Sequence, residues 1–331
     1  MAYMKQCPNI LGVSCCNHRE RREMAETLIG TGGWAYFHVP GLRSLEAYAR
    51  AFNFVEVNST FYRIPPTGRV ESWRRRVPAG FEFAVRCHRD VTHTYEMKPA
   101  EEAVKAFNAS TEVCGLLGAK FLVLETPARV RFSPEKVEDA KNLLSSVDRH
   151  ESVNLVWEVR RDRGEKVPQE LFNLMSDQGI VHSVDLSRES PAFESDVAYS
   201  RVFGKGRHNV YQFTDEELGE IDYKISKSKS STVAVSFHNV KMYKDAARFR
   251  VYRETGQFTT ATGATGQQSL RKVLMEDAKF PATKQELVDK QGWKVVDLTQ
   301  KRRVHASAIL EKLPNQTFRS VDEVLVNLDR F

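Results

Sequence analysis

The stretch Phe54-Val55-Glu56-Val57-Asn58-Ser59-Thr60-Phe61-Tyr62 decides how this chain is read. A short apolar run, Phe54–Val57, passes directly into a cluster of polar and aromatic side chains. If the run is a strand, alternation places Glu56 and Asn58 on one face. A buried strand that ends in functional chemistry is the signature of a parallel barrel, whose sites gather at the C-terminal ends of its strands. Seven further β-branched or apolar runs share this character: Thr27–Gly32, Phe81–Cys87, Lys120–Glu125, Val153–Val159, Ile180–Leu186, Ala198–Phe203 and Thr232–Phe237. They are continuous rather than alternating, as strands covered on both faces are.

Helical patterns fall between them, at Leu42–Ala51, Ala100–Leu117, Pro134–Val147, Gln169–Gln178 and Asp215–Ser226. Val104, Phe107, Thr111 and Cys114 share a helix face, and Ser133-Pro134-Glu135 reads as an N-cap followed by proline at the first helical position. Eight strands alternating with helices predict an α/β fold, a (β/α)8 TIM-type barrel rather than an open sheet, followed by a small mostly helical C-terminal domain. The barrel is expected over residues 24–255, after an N-terminal extension at 1–23 that is disordered or a misassigned start. Residues 256–266, rich in Gly and Thr, read as a linker, and 267–331 as the accessory domain. Within it, Pro281–Leu287 and Val304–Leu313 read as helices, Trp293–Leu298 as a strand, and Ser320-Val321-Asp322-Glu323 as a capped turn.

Composition narrows the class. At 331 residues, 41% hydrophobic and 28% charged, the chain can build a sizeable core. No apolar run reaches the roughly 18 residues of a membrane span, and the N-terminus lacks a secretory apolar region. The net charge of +6 is dispersed, +2 in residues 1–23 and +3 in 257–331, so it reads as a solvated surface before a nucleic-acid footprint. Five cysteines without a framework predict reduced thiols and a cytoplasmic location. Cys7, Cys15, Cys16 and His18 lack the spacing of a closed zinc site.

Reading the strand ends in turn gives the candidate site. Gly30-Thr31-Gly32-Gly33-Trp34 is not a dinucleotide fingerprint; its glycines allow close backbone approach and Trp34 offers a stacking wall. Glu56 and Glu158 are the candidate acid/base pair, as sugar isomerisation or hydrolysis would need. Trp34, Asn58, Ser59, Thr60, Tyr62, Arg86, His93, Arg160, Asp185, Arg201 and Asn239 are the candidate ligand-binding residues, with His88, Arg89 and His238 as further partners for a buried carboxylate. Arginines outnumber the carboxylates they would neutralise, which points to a small anionic or polyhydroxylated ligand. No cofactor is expected; His88, His93 and Asp185 with the glutamates leave a divalent metal open, although no metal-binding spacing supports one. A nucleic-acid phosphodiester in the barrel mouth and a non-catalytic ligand-binding scaffold are the alternatives. No membrane partner is expected, and the oligomeric state is open.

These residues resemble a known family. Ile29–Trp34, Val55–Pro65, Trp73, Phe81–Arg86 and Thr92-His93 are similar to the YecE-like family, domain of unknown function 72, over about Leu28 to Tyr252. The resemblance implies a TIM-type barrel grouped with sugar-isomerase-like and endonuclease-like barrels, and no established reaction. This chain departs from the pattern at three strand ends: Glu125-Thr126-Pro127 replaces a glutamine and paired prolines, Phe203 replaces a histidine, and His238 replaces an asparagine. A tryptophan usual soon after Arg160 is also missing. The stretch from Phe280 to Leu328 resembles domain of unknown function 2795.

Overall fold

The computed structural model describes residues 26–162 and 164–328; the expected extension at 1–23, with Cys7, Cys15, Cys16 and His18, lies outside them. Eight parallel strands follow in order: β1 Glu26–Thr31, β2 Phe54–Val57, β3 Glu82–Arg86, β4 Phe121–Thr126, β5 Asn154–Val159, β6 Val181–Ser183, β7 Val197–Val202 and β8 Thr232–Phe237. β1 to β6 pair in sequence order, β7 pairs with β8, and β8 pairs with β1, so the sheet curls round on itself. Closure between β6 and β7 rests on a single bridge, Val184 to Ser200.

The outer layer holds α1 Ser44–Ala51, α2 Thr67–Arg75, α3 Glu101–Leu117, α4 Pro134–Ser145, α5 Gln169–Asp177, α6 Asp215–Lys227 and α7 Met242–Thr255. The α4 start is as its sequence implies: Pro134 opens the helix and Ser133 Oγ accepts the Lys136 N–H. No helix lies between β6 and β7; the chain there crosses as an irregular loop. None of these helices is long and apolar enough to cross a membrane.

Alternation along the strands divides the barrel into two compartments. Leu28, Phe54, Ala84, Phe121, Val123, Val156, Val181, Tyr199 and Ala234 fill the interior below the mouth, with Phe54, Phe121 and Tyr199 packed edge to face. Their outward neighbours pack against the helices in the larger core with Phe83, Leu122 and Trp157. Two residues further along each strand, the interior positions become Glu56, Arg86, Glu125, Glu158, Ser183, Arg201 and Ser236, so the same period that seals the base stacks charges at the top.

The C-terminal unit has its own apolar cluster around Leu270, Leu287, Val296, Leu310, Phe318 and Val324. It consists of α8 Gln267–Asp277, β9 Ala282–Thr283, α9 Lys284–Gln291, β10 Val295–Asp297, β11 Arg303–His305, α10 Ser307–Leu310, β12 Thr317–Phe318 and α11 Val321–Val326. Two small antiparallel pairs form there, β9 with β12 and β10 with β11; of these strands only β10 was expected, within Trp293–Leu298. Val304 and His305, read as the start of the helix Val304–Leu313, are instead extended, because β10 offers them a ladder partner.

The segment read as a flexible linker is bound at its second half. Ala261 N, Thr262 N and Thr262 Oγ1 donate to the buried Asp297 carboxylate at 2.9, 2.8 and 2.7 Å, and Gly266 N donates to the Asp297 carbonyl at 2.8 Å. The unit docks beside the mouth: Arg303 pairs with Asp215 at 2.5 Å, Gln212 Oε1 accepts the Val295 N–H at 2.9 Å, and Lys241 and Lys244 reach Glu276 at 2.6 and 3.0 Å.

Candidate functional site

Arg201 is the centre of the barrel interior. It is 1% exposed, and its guanidinium meets three glutamates: Glu56 through Nε at 3.1 Å and Nη2 at 3.0 Å, and both Glu125 and Glu158 through Nη1. The register explains why an arginine is needed, since β4 and β5 place Glu125 directly beside Glu158. Two adjacent carboxylates inside a barrel repel unless a cation lies between them. Arg86 adds a contact to Glu125 at 2.8 Å, and Arg160 spans Glu125 at 3.1 Å and Glu158 at 3.0 Å. Phe61 lies under the Arg86 guanidinium at 3.8 Å, and Phe203 under Arg160 and Arg201 at 4.9 and 5.4 Å.

Three arginines therefore face three glutamates. The excess of arginine read from the sequence is not found in this interior, because Glu125, absent from the candidate residues, supplies the third negative charge. Its signal was available: Phe121, Val123 and Glu125 share one strand face.

Burial and charge fix the protonation states. Glu56 is wholly buried, and it accepts Tyr199 Oη at 2.9 Å and lies 3.3 Å from His238 Nε2. Burial opposes its ionisation, but Arg201 and then His238 outweigh that, holding the carboxyl well below the usual range. Burial likewise raises Glu125, and Arg201, Arg86 and Arg160 overcome it, bringing the group down to about 2. Burial pushes the His238 pKa down, so the ring is neutral at neutral pH. Glu56 thus stays ionised and enclosed, whereas Glu158, with a side chain 12% exposed, and Arg160, 41% exposed, form the outer edge of the network.

A second region lies beside this network, at the ends of β1 and β2. A cavity of about 890 Å³ is lined by Gly32, Gly33, Trp34, Tyr36, Asn58, Ser59, Tyr62, Arg69, Ser72, Trp73, Arg76, Met242 and Tyr243, among others. Trp34 and Trp73 meet edge to face at 5.3 Å. Tyr36 and Tyr62 are 81% and 67% exposed at its rim. Asn58 Nδ2 donates to the Gly32 carbonyl at 2.9 Å, leaving its buried Oδ1 without a hydrogen bond. Arg69 and Arg76 form no ion pair among the described residues, unlike the interior arginines. Gly32 is required by the fold rather than by a ligand: a Cβ there would lie 2.4 Å from His238 Nδ1 and 2.7 Å from Asn58 Nδ2.

The structure brings Trp34, Asn58, Ser59 and Tyr62 to this cavity, and Arg86, Arg160 and Arg201 to the network. His93 meets Phe61 edge to face at 4.7 Å, outside both, and burial lowers its pKa to about 4. Three candidates are committed to the backbone. Thr60 Oγ1 donates to the Val57 and Arg86 carbonyls at 2.7 and 2.6 Å. Asp185 accepts from Ser187 N, Ser187 Oγ, Phe203 N and Gly204 N, tying the end of β6 to that of β7. Asn239 Nδ2 donates to the Tyr211 carbonyl at 2.9 Å and to Asp245 at 2.7 Å. These three hold loops, because their oxygens or amides satisfy neighbours that burial would otherwise leave unpaired.

His88 is 3.3 Å from Asp90, remote from the glutamates. Sequence reasoning missed Glu125, Tyr199 and the α2 face Arg69-Ser72-Trp73-Arg76; α2 buries only Val70, so its apolar pattern is faint. Cys87 and Cys114 are buried free thiols, and burial pushes the Cys87 pKa up to about 12. Among the described residues no three of His, Cys, Asp or Glu are grouped to hold a metal ion; the converging carboxylates meet a guanidinium.

Comparison with known proteins agrees with this architecture. A DUF72 family protein of Enterococcus faecalis V583 superposes with TM-score 0.55 at 17% identity, over 69% of this chain and 98% of that one. One from Thermotoga maritima MSB8 gives TM-score 0.56 at 23% identity, over 69% and 99%. In sequence, the UPF0759 protein YecE of Escherichia coli K12 is 34% identical over 67 residues, 20% of this chain and only a quarter (25%) of YecE. The model of the family described as "Protein of unknown function DUF72" matches residues 28–271, ending before most of the C-terminal unit. This chain belongs to that family.

Proposed function

We propose that this barrel binds a phosphorylated, polyhydroxylated small molecule in the cavity at the ends of β1 and β2. The observation that carries the reading is the pairing of Trp34 and Trp73 with two arginines that no carboxylate neutralises. Aromatic walls take the apolar face of a ring, Asn58, Ser59 and Ser72 suit its hydroxyls, and Arg69 and Arg76 suit an anionic group. The buried Asn58 Oδ1 offers an acceptor to a ligand hydroxyl.

The proton-transfer part of the reading shifts from the pair Glu56 and Glu158 to Glu158 alone. Glu56 is enclosed and held ionised, so its part is to position Arg201 and His238. Glu158 is the carboxylate at the outer edge of the network. A non-catalytic binding scaffold is the second reading, and the charge balance of the interior favours it. A phosphodiester of nucleic acid is the third, favoured by the exposed Tyr36 and Tyr62 beside the arginines. The C-terminal unit, proposed as an accessory domain resembling domain of unknown function 2795, docks through Lys241 and Lys244, next to Met242 and Tyr243 of the cavity lining.

Calorimetric titration with ribose phosphate tests the proposal. Saturable binding is expected, weakened about tenfold by Arg69→Ala and by Arg76→Ala, since a charge-assisted hydrogen bond is worth about 1.5–3 kcal/mol. Equal affinity in wild type and both variants rejects the assignment. A steep fall in affinity for an oligonucleotide with salt, without ribose phosphate binding, selects the nucleic-acid reading instead.

A further inference from the structure

The loop between β6 and β7 stands where every other pair of consecutive strands is joined through an α-helix. A helix there would cover the outer face of the β6–β7 seam, which is also where the barrel closes by one bridge. In its place is a cavity of about 310 Å³, walled by β6, β7, β8, α6 and the loop. Its lining is mainly apolar: Leu186, Phe193, Ala198, Tyr223, Ile225 and Val233.

Four serines, Glu194, Lys224 and Lys227 complete the lining, and His182 is its one residue with a buried side-chain atom left unpartnered. His182 is 5% exposed, and its Nδ1 accepts the Ala192 N–H at 3.0 Å, so the proton is on Nε2. That Nε2 is buried and has no hydrogen-bond partner. Burial lowers the ring's pKa to about 4, and its neutral form is also the one the Ala192 contact requires. Phe172 and Phe193 hold the ring at 4.9 and 6.0 Å between centroids. An orphaned buried donor costs free energy, which an acceptor brought by a ligand would recover.

The cavity is preformed, because its covering loop is fastened along its length. Asp185 binds Phe203 N at 3.0 Å, Arg188 Nε donates to the Gly204 carbonyl at 3.0 Å, and Lys224 Nζ donates to the Leu186 and Glu189 carbonyls at 2.6 and 3.1 Å. A preformed pocket with a large apolar wall and a few oriented polar groups is how small-ligand sites are built.

We infer that the β6–β7 seam is a second ligand site, which takes a small planar apolar molecule carrying one hydrogen-bond acceptor, directed to His182 Nε2. It is separate from the cavity at β1 and β2, which lies on another side of the barrel.

Quinoline and naphthalene, alike in shape but differing in a ring-nitrogen acceptor, test this by saturation-transfer NMR titration of the full chain. Quinoline is expected to bind saturably and at least several-fold more tightly than naphthalene, without competition from ribose phosphate. Ala198→Phe, which fills the cavity, should abolish binding of both. The smaller Ala198→Val should weaken both and guards against misfolding of the first variant. His182→Phe should erase the preference for quinoline while naphthalene still binds. The inference is overturned if neither probe saturates, if the filled variants bind as wild type does, or if quinoline shows no advantage.

Discussion

Replacing Glu56 by Gln probes the barrel interior at its most enclosed point. The carboxylate is 0% exposed, and each group around it is a donor: Arg201 Nε and Nη2 at 3.1 and 3.0 Å, Tyr199 Oη at 2.9 Å and His238 Nε2 at 3.3 Å. Glutamine keeps the size but removes the charge and points an amide N–H₂ at donors. The remaining network would then carry three guanidinium groups against Glu125 and Glu158, one buried positive charge in excess. Breaking a buried ion pair by removing one partner costs on the order of 3–5 kcal/mol. Since a domain's whole stability is only about 5–15 kcal/mol, such a loss is plain in a urea titration, as a lower midpoint at unchanged slope. A carboxylate exposed in an active site would be replaced with little change in stability; the enclosed position reverses that. A loss below about 1 kcal/mol would refute the claim that Glu56 is structural support for Arg201.

Other expectations follow from the same geometry. Glu125 has a folded-state pKa of about 2, below the ordinary 4.5, so its contribution to stability is complete above pH 4.5 and is lost as pH falls from 4.5 towards 2. The linkage amounts to about 3 kcal/mol, and Glu125→Gln should flatten that acid limb; an unchanged pH profile counts against it. Limited proteolysis should cut within 256–260 and spare 261–266, where Asp297 holds the backbone; preferred cuts in the latter segment would contradict the observed bonds.

Much of the barrel was legible because its signals are local. Each strand needs an apolar run of a few residues, and the period of two that buries Phe121 and Val123 also aims Glu125 inward. Arg201, Glu56 and Glu158 were visible for that reason. Glu125 escaped because its role depends on the register that sets it beside Glu158, which no single strand encodes. The helices α2 and α7 left faint patterns: α2 buries one residue, and α7 buries the charged Asp245 and Arg248 along with Ala246 and Phe249. Val304 and His305 open a stretch with helical spacing in sequence, yet β10 supplies a strand partner, and tertiary pairing overrides local preference. Asp185 and Asn239 stand at strand ends as ligand-binding residues would, and only the structure shows the Asp185 carboxylate and the Asn239 amide N–H groups spent on holding loops. The cavity between Trp34 and Trp73 joins the loop after β1 to α2, an adjacency set by the pairing of β1 with β2.

A crystal structure of the protein soaked with ribose phosphate tests the central claim most directly. The account predicts density in the β1–β2 cavity, its ring against Trp34 or Trp73 and its phosphate oxygens about 3 Å from Arg69 or Arg76. Ligand density over Arg160 and Arg86 instead, with the aromatic cavity empty at saturating ligand, would contradict it.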